Sequence, residues 1–286
     1  MKLSKPKYYE KFTCIASACP DSCCKGWAVD VDDDAATFYR SLPGDLGDRL
    51  RSVLQDDGDG AYMQIENGRC PMWRDDGLCR IQAELDHDAL CRVCRTFPRL
   101  RHDYGDFVEL GLELSCPEVA RMIFENPNAS WREMEISGGE EADYDPVDMQ
   151  ILLKTREVML TVLANSSRSV PETLTLALLY GYHAQNLLDG GEGDWDPEEA
   201  LAFARHMAKP AQPSALTDFY LNLEILTDAW RQRLLSPVGE TTWDERLRTL
   251  AQYGVQRYWL QAISDFDLVG RVKMVIAACL LVRYLG

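Results

Sequence analysis

The 286-residue chain has no long hydrophobic run. Its longest apolar stretch, residues 274–282, lies between Lys273 and Arg283. It is far shorter than the ~20 residues that a membrane-spanning helix needs. The lysine-containing start, residues 1–14, is followed by no apolar segment, so it lacks the pattern of a secretory signal. We therefore expect a cytoplasmic protein that does not associate with membranes.

Basic charge is also scarce. The chain has 30 lysines and arginines against 46 aspartates and glutamates, which gives a formal net charge of −16. A surface of this sign repels the phosphates of nucleic acids and of anionic lipids, so neither is expected as a partner. With 46% hydrophobic and 27% charged residues, the composition is typical of a globular protein rather than a disordered one.

Two familiar cofactor signatures are missing. The glycine-rich stretches at 58–60 and 190–193 follow no predicted strand, which argues against a dinucleotide-binding fingerprint. The C-x3-C-x2-C pattern of radical S-adenosylmethionine enzymes is incomplete, because Cys19 and Cys23 fit it but Gly26 stands at the third position.

Cysteine is abundant, and its distribution divides the chain. Nine of the ten cysteines fall within residues 14–116, and the tenth, Cys279, stands in the apolar run near the end. The stretch 126–145 contains proline, paired glycines and acidic residues, which are typical of a linker. We therefore predict a cysteine-rich metal-binding module over 1–126 and a helical domain over 145–286.

The cysteine-rich module is predicted to be a small mixed α+β structure. Asp32 has the position of a helix cap, and Gly77 has the position of a hairpin turn. Alternating apolar residues before Cys116 indicate a half-buried strand. The predicted elements are a helix from Asp32 through Leu42, helices at 46–54 and 115–121, a hairpin at 69–81 and a strand at 108–114.

The second domain is predicted to be all-α, so that the whole chain is mainly α. Asp145 and Asp196 each precede a proline suited to the first position of a helix, and Thr242 with Glu245 has the spacing of a capping box. One face of the first helix carries the aliphatic residues Val147, Ile151, Val158 and Val162. Further helices are predicted at 197–208, 214–235, 243–263 and 267–285.

The cysteine spacing carries the strongest chemical signal. Thiolates a few residues apart can converge on one soft metal or cluster, because a short turn brings both sulfurs to the same side. The nine candidate ligands are Cys14, Cys19, Cys23, Cys24, Cys70, Cys79, Cys91, Cys94 and Cys116. Disulfides or buried thiols are the alternative, which a cytosolic location disfavours. His87 and His102 are either further ligands or exposed loop histidines.

The number of metal sites stays open at this point. Adjacent Cys23 and Cys24 normally point apart, so both are not expected to bind one zinc ion. Two four-cysteine sites would leave one of the nine cysteines over, and one such site would leave five. The tenth, Cys279, is predicted to be a small buried hydrophobe rather than a ligand.

Six motifs follow one another between Tyr9 and Arg121. They are Tyr9-x2-Phe12-x-Cys14, Cys19-x-Asp21-Ser22-Cys23-Cys24-x-Gly26-Trp27, Cys70-Pro71, Gly77-Leu78-Cys79-x-Ile81, Leu90-Cys91-x2-Cys94-x2-Phe97-Pro98-Arg99 and Leu114-Ser115-Cys116-Pro117-Glu118-Val119-Ala120-Arg121. This order resembles the flagellin lysine-N-methylases and the wider group of zinc- or iron-chelating cysteine-cluster domains. The helical remainder resembles the family only loosely, and the chain is expected to end short of the family's usual C-terminus.

The resemblance implies an S-adenosylmethionine-dependent protein-lysine N-methyltransferase that acts on flagellin. It also implies an iron–sulfur cluster of the [4Fe-4S] type, with zinc as the alternative metal. It assigns no catalytic or methyl-donor-binding residue in this chain. The competing hypotheses are a non-catalytic zinc- or iron-chelating module and a structural zinc protein whose helical half binds a partner.

Methyl transfer to lysine needs a neutral amine, and a carboxylate near it can accept the proton that the amine loses. Trp27 is a candidate cofactor contact, with a core aromatic as the alternative. The candidate proton acceptors, each with a surface or capping role as the alternative, are Glu109, Glu113 and Glu118. The candidates for holding a cofactor carboxylate, with structural ion pairs as the alternative, are Arg95, Arg99 and Arg121.

Overall fold

A computed structural model describes residues 1–25, 28–127, 130–139, 141–209, 212–225, 227–239 and 242–286. The chain divides into two compact units. Unit 1 comprises Met1–Asp103, Phe107–Glu125 and Ala129–Gly138, and unit 2 comprises Tyr104–Asp106, Asn126–Asn128 and Gly139–Gly286. Helices make up about 53% of the structure, which confirms that the chain is mainly α.

Unit 1 contains two small β-sheets. Their strands are β1 (Lys2–Pro6), β2 (Val29–Val31), β3 (Leu54–Asp56), β4 (Ala61–Met63), β5 (Arg99–Asp103), β6 (Phe107–Leu112) and β7 (Trp131–Glu135). The first sheet has the order β5-β6-β1-β7, with β1 parallel to β6 and antiparallel to β7. The second has the order β2-β4-β3 and is antiparallel. Three of these strands, β2, β3 and β4, have only three residues each, which is too short to show an alternating pattern. Among the seven strands, the sequence predicted only β6.

Strand β6 confirms the alternating pattern, although it covers 107–112 rather than 108–114. Val108 and Leu112 are buried, as the alternation requires. Glu109, on the other face, is buried as well. Strand β6 lies inside the sheet, between β5 and β1, so side chains of two neighbouring strands stand beside Glu109.

The helices of unit 1 are short. They are α1 (Asp33–Ser41), α2 (Gly44–Val53), α3 (Arg80–Glu84), α4 (Arg92–Thr96) and α5 (Pro117–Glu125). Asp32 caps α1 as predicted, because its Oδ1 accepts from the N–H of Ala35 at 3.3 Å. Helices α1 and α2 bury Tyr39 and Leu50 in one core with Val29 of the second sheet.

The hairpin predicted over residues 69–81 forms its turn, but its two arms do not form strands. Gly77 does occupy a turn, with φ +81°, and its N–H donates to the carbonyl oxygen of Arg74 at 3.0 Å. The two arms are joined only by an antiparallel bridge between Trp73 and Cys79. The arms stay short because the chain enters α3 at Arg80. The N–H of Arg80 donates to the carbonyl oxygen of Met72 at 2.7 Å.

All the regular elements of unit 2, among the residues that the structure describes, are helices. Its helices are α6 (Pro146–Ala164), α7 (Val170–Leu188), α8 (Pro197–Met207), α9 (Pro213–Leu221), α10 (Asp228–Leu235), α11 (Arg246–Tyr258) and α12 (Leu268–Leu285), with a 3-10 turn at Trp259–Ile263. Asp145 and Asp196 cap α6 and α8 as predicted. None of the described helices is both long and apolar enough to cross a bilayer.

Two predicted features of unit 2 are wrong. The single helix predicted at 214–235 is two helices, because α9 ends at the cap Asn222 and Thr227 starts α10 by accepting from the N–H of Trp230 at 3.2 Å. The predicted capping box of Thr242 and Glu245 does not form. Glu245 is itself the N-cap residue of α11. Its carboxylate accepts a hydrogen bond from Nε of Arg248 at 2.7 Å.

The aliphatic face of α6 is not its buried face. Val147 is 64% exposed and Val158 is 41% exposed. The structure buries the opposite side, which carries Met149, Leu152 and Met159. Helix α6 is apolar on both sides, so the sequence pattern could not show which face packs against α7 and α11.

Candidate metal centre

Six of the nine candidate cysteines line one cavity in unit 1. They are Cys23, Cys24, Cys70, Cys79, Cys91 and Cys94. The cavity has a volume of about 80 Å³, and its wall includes Val29, Tyr39, Met63 and Leu90. Because most of this wall is apolar, the sulfur atoms are the main donors that face the space.

Backbone pairing brings the first of these cysteines together. The N–H of Cys70 donates to the carbonyl oxygen of Cys24 at 2.6 Å, and Lys25 forms an antiparallel bridge with Arg69. The turn at Gly77 then returns the chain, so that Cys79 reaches the same cavity. Cysteines that are far apart in sequence thus meet without belonging to one regular element.

Cys91 and Cys94 stand at the start of α4, where Cys91 is the N-cap residue. Two groups of α1 contact the chain beside Cys91. The hydroxyl of Tyr39 donates to the carbonyl oxygen of Ala89 at 2.9 Å, and Oδ2 of Asp32 accepts from the N–H of Arg92 at 2.6 Å. From the sequence, Asp32 is recognisable only as a helix cap and Tyr39 is not recognisable as part of the site, because no sequence pattern relates α1 to this segment.

Neighbouring thiols shift the pKa values of several of these cysteines. The Cys24 thiol holds the pKa of Cys70 below its ordinary value, and the Cys94 thiol does the same for Cys91. In turn, the thiols of Cys24 and Cys91 raise the pKa of Cys23 and Cys94. Cys70 and Cys91 are therefore the thiols of these pairs that ionise most readily.

Backbone amides also act on the pKa of the sulfurs. Those of Met72 and Cys94 help to lower the pKa of Cys70 and Cys91. Burial raises the pKa of Cys79, and the amides of Gln82 and Ile81 oppose that rise. An N–H donor favours the charged thiolate over the thiol, and the thiolate is the form that binds metals. The local backbone thus supports the form of the side chain that a metal centre requires.

The chemistry of the donor set fits a soft metal. A tetrahedral zinc site or a [4Fe-4S] cluster takes four thiolates, and the cavity offers six. All ten cysteines are free thiols. Within the part of the chain that the structure describes, no three His, Cys, Asp or Glu side chains stand as ligands around one point.

Cys14, Cys19 and Cys116 form a second group. Burial raises the pKa of Cys116, and charge on Cys19 and Cys14 raises it further, so the three thiols are electrostatic neighbours. None of them lines the cavity of the six. The sequence could not assign Cys19 to this group, since it lies only four residues from Cys23.

Two of the candidate functional residues bind each other. Arg121 donates to Glu118 at 2.6 Å and also pairs with Glu125. The hydrogen bond from Arg121 lowers the pKa of Glu118. In this structure Glu118 and Arg121 therefore form a structural ion pair, which was the alternative to a role of Arg121 in holding a cofactor carboxylate.

The other two candidate glutamates differ in burial. Glu109 is only 6% exposed, and it is paired in register with His102 across β5 and β6. Glu113 is half-buried, and its N–H donates to the carbonyl oxygen of Pro98 at 2.7 Å. Glu109 is thus a buried carboxylate rather than the surface group that its sequence context suggested.

The remaining candidates lie on the surface of unit 1 or in its loops. The guanidinium of Arg99 lies 5.1 Å from the ring centre of Phe12. Arg95 donates to the carbonyl oxygen of Asp88 at 3.3 Å, and the exposed His87 stands 3.9 Å from the carboxylate of Asp88. Trp27 and Gly26 lie outside the described residues.

Three curated proteins are similar to this chain. It is 33% identical over 137 residues to the lysine-N-methylases of Salmonella typhimurium and Salmonella choleraesuis, an alignment that covers 44% of this chain and 33% of each of those proteins. It is also 33% identical over 137 residues to the flagellar biosynthetic protein FliU of Salmonella muenchen, with 79% of that protein covered. The chain thus spans about a third of the length of the two lysine-N-methylases. No protein-family model matches it, and no solved structure matches it significantly.

Proposed function

The chain belongs to the family of the lysine-N-methylases and FliU, and from this membership we propose that it transfers methyl groups to lysine side chains of a protein. The observation that carries the proposal is the 33% identity to FliU over 79% of that protein. The flagellar role in the name of that relative supports flagellin as the substrate. The proposed reaction takes place in the cytoplasm, before flagellin is exported.

The cysteines that line the cavity are the residues that would hold a metal centre. We propose a [4Fe-4S] cluster, as the resemblance of the motifs implies, with zinc as the alternative metal. The six sulfur atoms that line the cavity, and the amides that favour the thiolates of Cys70 and Cys79, support this assignment. A metal bound there would supply folding energy to unit 1, because it would tie together cysteines that are distant in sequence.

S-adenosylmethionine, the proposed donor, would supply a methyl group on a positively charged sulfur. The neutral lysine amine attacks the methyl carbon, so that an N–C bond forms, the C–S bond breaks and the electron pair stays on the departing sulfur. The lysine ammonium must first lose a proton, which a nearby carboxylate can accept. Glu109 is the candidate that lies buried in the structure, so we propose Glu109 as the acceptor.

Methyl transfer in vitro tests the proposal. The chain is purified anaerobically, analysed for iron, sulfide and zinc, and incubated with S-adenosylmethionine and flagellin. We expect mass spectrometry to show additions of one methyl mass on lysine peptides, only when S-adenosylmethionine is present. A folded, metal-loaded preparation that leaves every flagellin lysine unmodified would favour the non-catalytic metal-binding module instead.

The role of Glu109 has its own test with a matched control. Glu109→Gln keeps the size of the side chain but removes its ability to accept a proton, and we expect the methylation rate to fall about 100-fold or more. Glu125→Gln, an exposed partner of Arg121, serves as the control and is expected to keep the wild-type rate. Equal rates for both variants would remove Glu109 from the mechanism and leave the methyltransferase proposal intact.

A further inference from the structure

Helix α1 and its cap hold the chain on both sides of Cys91. The hydroxyl of Tyr39, near the end of the helix, donates to the carbonyl oxygen of Ala89 at 2.9 Å. The carboxylate of Asp32, the N-cap of the same helix, accepts from the N–H of Arg92 at 2.6 Å. Cys91 therefore lies between two backbone groups that are anchored to one element.

The two anchors act on a short segment. The anchored groups, the carbonyl of Ala89 and the amide of Arg92, are separated by only Leu90 and Cys91. Asp32 and Tyr39, which hold them, belong to one helix and its cap. Both ends of the segment are thus tied to the same element.

The anchors act at the wall of the cysteine cavity. Tyr39 is fully buried and lines the cavity, as do Leu90 and Cys91 of the anchored segment. A change at the Tyr39 hydroxyl is therefore transmitted directly to the backbone that carries the Cys91 sulfur.

Other bonds of this segment do not replace the anchors. The Oδ1 atom of Asp86 accepts from the N–H groups of Asp88 and Ala89 at 2.9 and 3.3 Å, which shapes the loop before Cys91. These bonds of Asp86 involve neither the carbonyl oxygen of Ala89 nor the N–H of Arg92. The placement of Cys91 thus depends on α1 as well as on its own loop.

We propose that Tyr39 and Asp32 are positioning residues that direct the Cys91 sulfur toward the metal centre, an inference that rests on the proposed metal site. Groups that hold metal ligands in place typically change metal affinity 10- to 100-fold when they are removed. Helix α1 itself contains no cysteine, so its contribution is visible only in the folded chain.

The test uses two variants and two matched controls. Tyr39→Phe removes the hydroxyl and keeps the ring, and Asp32→Asn keeps a good helix cap but replaces one acceptor oxygen by a donor. Tyr62→Phe on β4 and Asp33→Asn in the first turn of α1 are the controls. Neither of these two residues lines the cysteine cavity.

Metal-free full-length chains are titrated with Co²⁺ in competition with a chelator, and the thiolate-to-cobalt charge-transfer absorption is recorded. We expect both variants to lose tenfold or more in Co²⁺ affinity and to show an altered charge-transfer spectrum. Both controls should keep the wild-type affinity and spectrum. Thermal unfolding of the metal-free chains separates a merely structural role, which would lower the melting temperature and leave the spectrum of the loaded chain unchanged.

The outcomes distinguish this inference from the metal site on which it rests. If the wild-type chain binds Co²⁺ through thiolates and both variants bind it equally well, α1 does not position Cys91, and the metal site stands. Controls that are weakened as much as the variants also overturn the inference, because the effect would not be specific to the two anchors. A wild-type chain that takes up no Co²⁺, iron or zinc overturns the metal site and the inference together.

Discussion

Cysteine side chains of this protein differ in their surroundings, and the difference determines their chemistry. Cys279 is fully buried in α12, where burial raises the pKa of its thiol to about 12, and its Sγ–H donates to the carbonyl oxygen of Leu247 at 3.6 Å. Cys70 and Cys91 are also buried, but the neighbouring thiols of Cys24 and Cys94 hold their pKa below the ordinary value. Neighbouring groups, rather than burial, therefore distinguish Cys70 and Cys91 from the core thiol Cys279.

Replacement of Cys279 by alanine is expected to leave the metal content of the chain unchanged. The side chain fills space in the core of unit 2, so its loss should lower the free energy of unfolding by about 1 kcal/mol. Iron, sulfide and zinc analysis, combined with denaturant unfolding, measures both quantities. A fall in bound metal per chain would show that Cys279 is a ligand after all.

The double replacement Cys91→Ser/Cys94→Ser is expected to lower both metal content and thermal stability. Serine retains the size of the side chain but loses the soft thiolate donor, and metal binding at such sites is coupled to folding. Metal analysis and thermal unfolding measure the two effects, with Cys279→Ala as the control. If metal content and melting temperature both stay at wild-type levels, Cys91 and Cys94 are not ligands.

At the scale of elements, a buried arginine joins three helices of unit 2. Arg248 of α11 is 6% exposed. Its guanidinium donates to the carbonyl oxygens of Asn165 and Arg168, between α6 and α7, and to the hydroxyl of Thr173 in α7. Glu245 accepts from its Nε at 2.7 Å. One side chain thus supplies the donors for the connection between α6 and α7.

Replacement of Arg248 by alanine is expected to cost about 2–4 kcal/mol in the free energy of unfolding. The carbonyl and hydroxyl acceptors would be left without their donor in a largely buried place, and each such loss is costly. Arg246→Ala is the matched control: that side chain is 74% exposed and pairs with Asp244, so its loss should change stability by less than about 0.5 kcal/mol. Equal unfolding midpoints for the two variants would show that the contacts of Arg248 contribute no more to the free energy of unfolding than those of the exposed Arg246.

The helix starts were the most predictable part of the elements. Asp32, Asp145 and Asp196 cap helices as predicted, because a capping bond is made within three residues of the cap. The box of Thr242 and Glu245 failed because α11 begins at Arg246, so that Glu245 is itself the cap residue and Thr242 lies outside the helix start. A local capping signal thus holds only where the helix begins at the residue that the signal marks.

At the scale of the whole molecule, the net charge of −16 is the dominant electrostatic property. An acidic surface attracts a lysine-rich one over distances up to about the screening length, which is roughly 10 Å at 0.1 M salt and 3 Å at 1 M. For the proposed lysine substrate, this attraction would speed the encounter of the two proteins.

Raising the salt concentration from 0.05 to 0.5 M is therefore expected to lower the rate of flagellin methylation at subsaturating flagellin, by about two- to tenfold. Initial rates measured by mass spectrometry at both salt concentrations check this. A short peptide with a single lysine is the control, since it carries little charge to be steered. A flagellin rate that does not change with salt would show that net charge plays no part in the encounter.

The sequence by itself determined the mainly α class, the presence of most helices and the resemblance to the lysine-N-methylases, which the comparison with curated proteins supports. It also identified the nine cysteines as candidates, though their role as ligands stays a prediction. These properties depend on residue type and on spacing over a few residues, so they can be recognised without knowledge of the fold.

Only the tertiary structure decided how the cysteines are grouped and what holds them. Cys24 meets Cys70 through a backbone hydrogen bond across 46 residues, and Cys19 joins the group of Cys116 although Cys23 is closer in sequence. Likewise, the segment around Cys91 is held by Tyr39 of a helix that contains no cysteine. The physical reason is that spacing constrains only what one turn can reach, whereas these contacts arise when separate elements pack around a shared core.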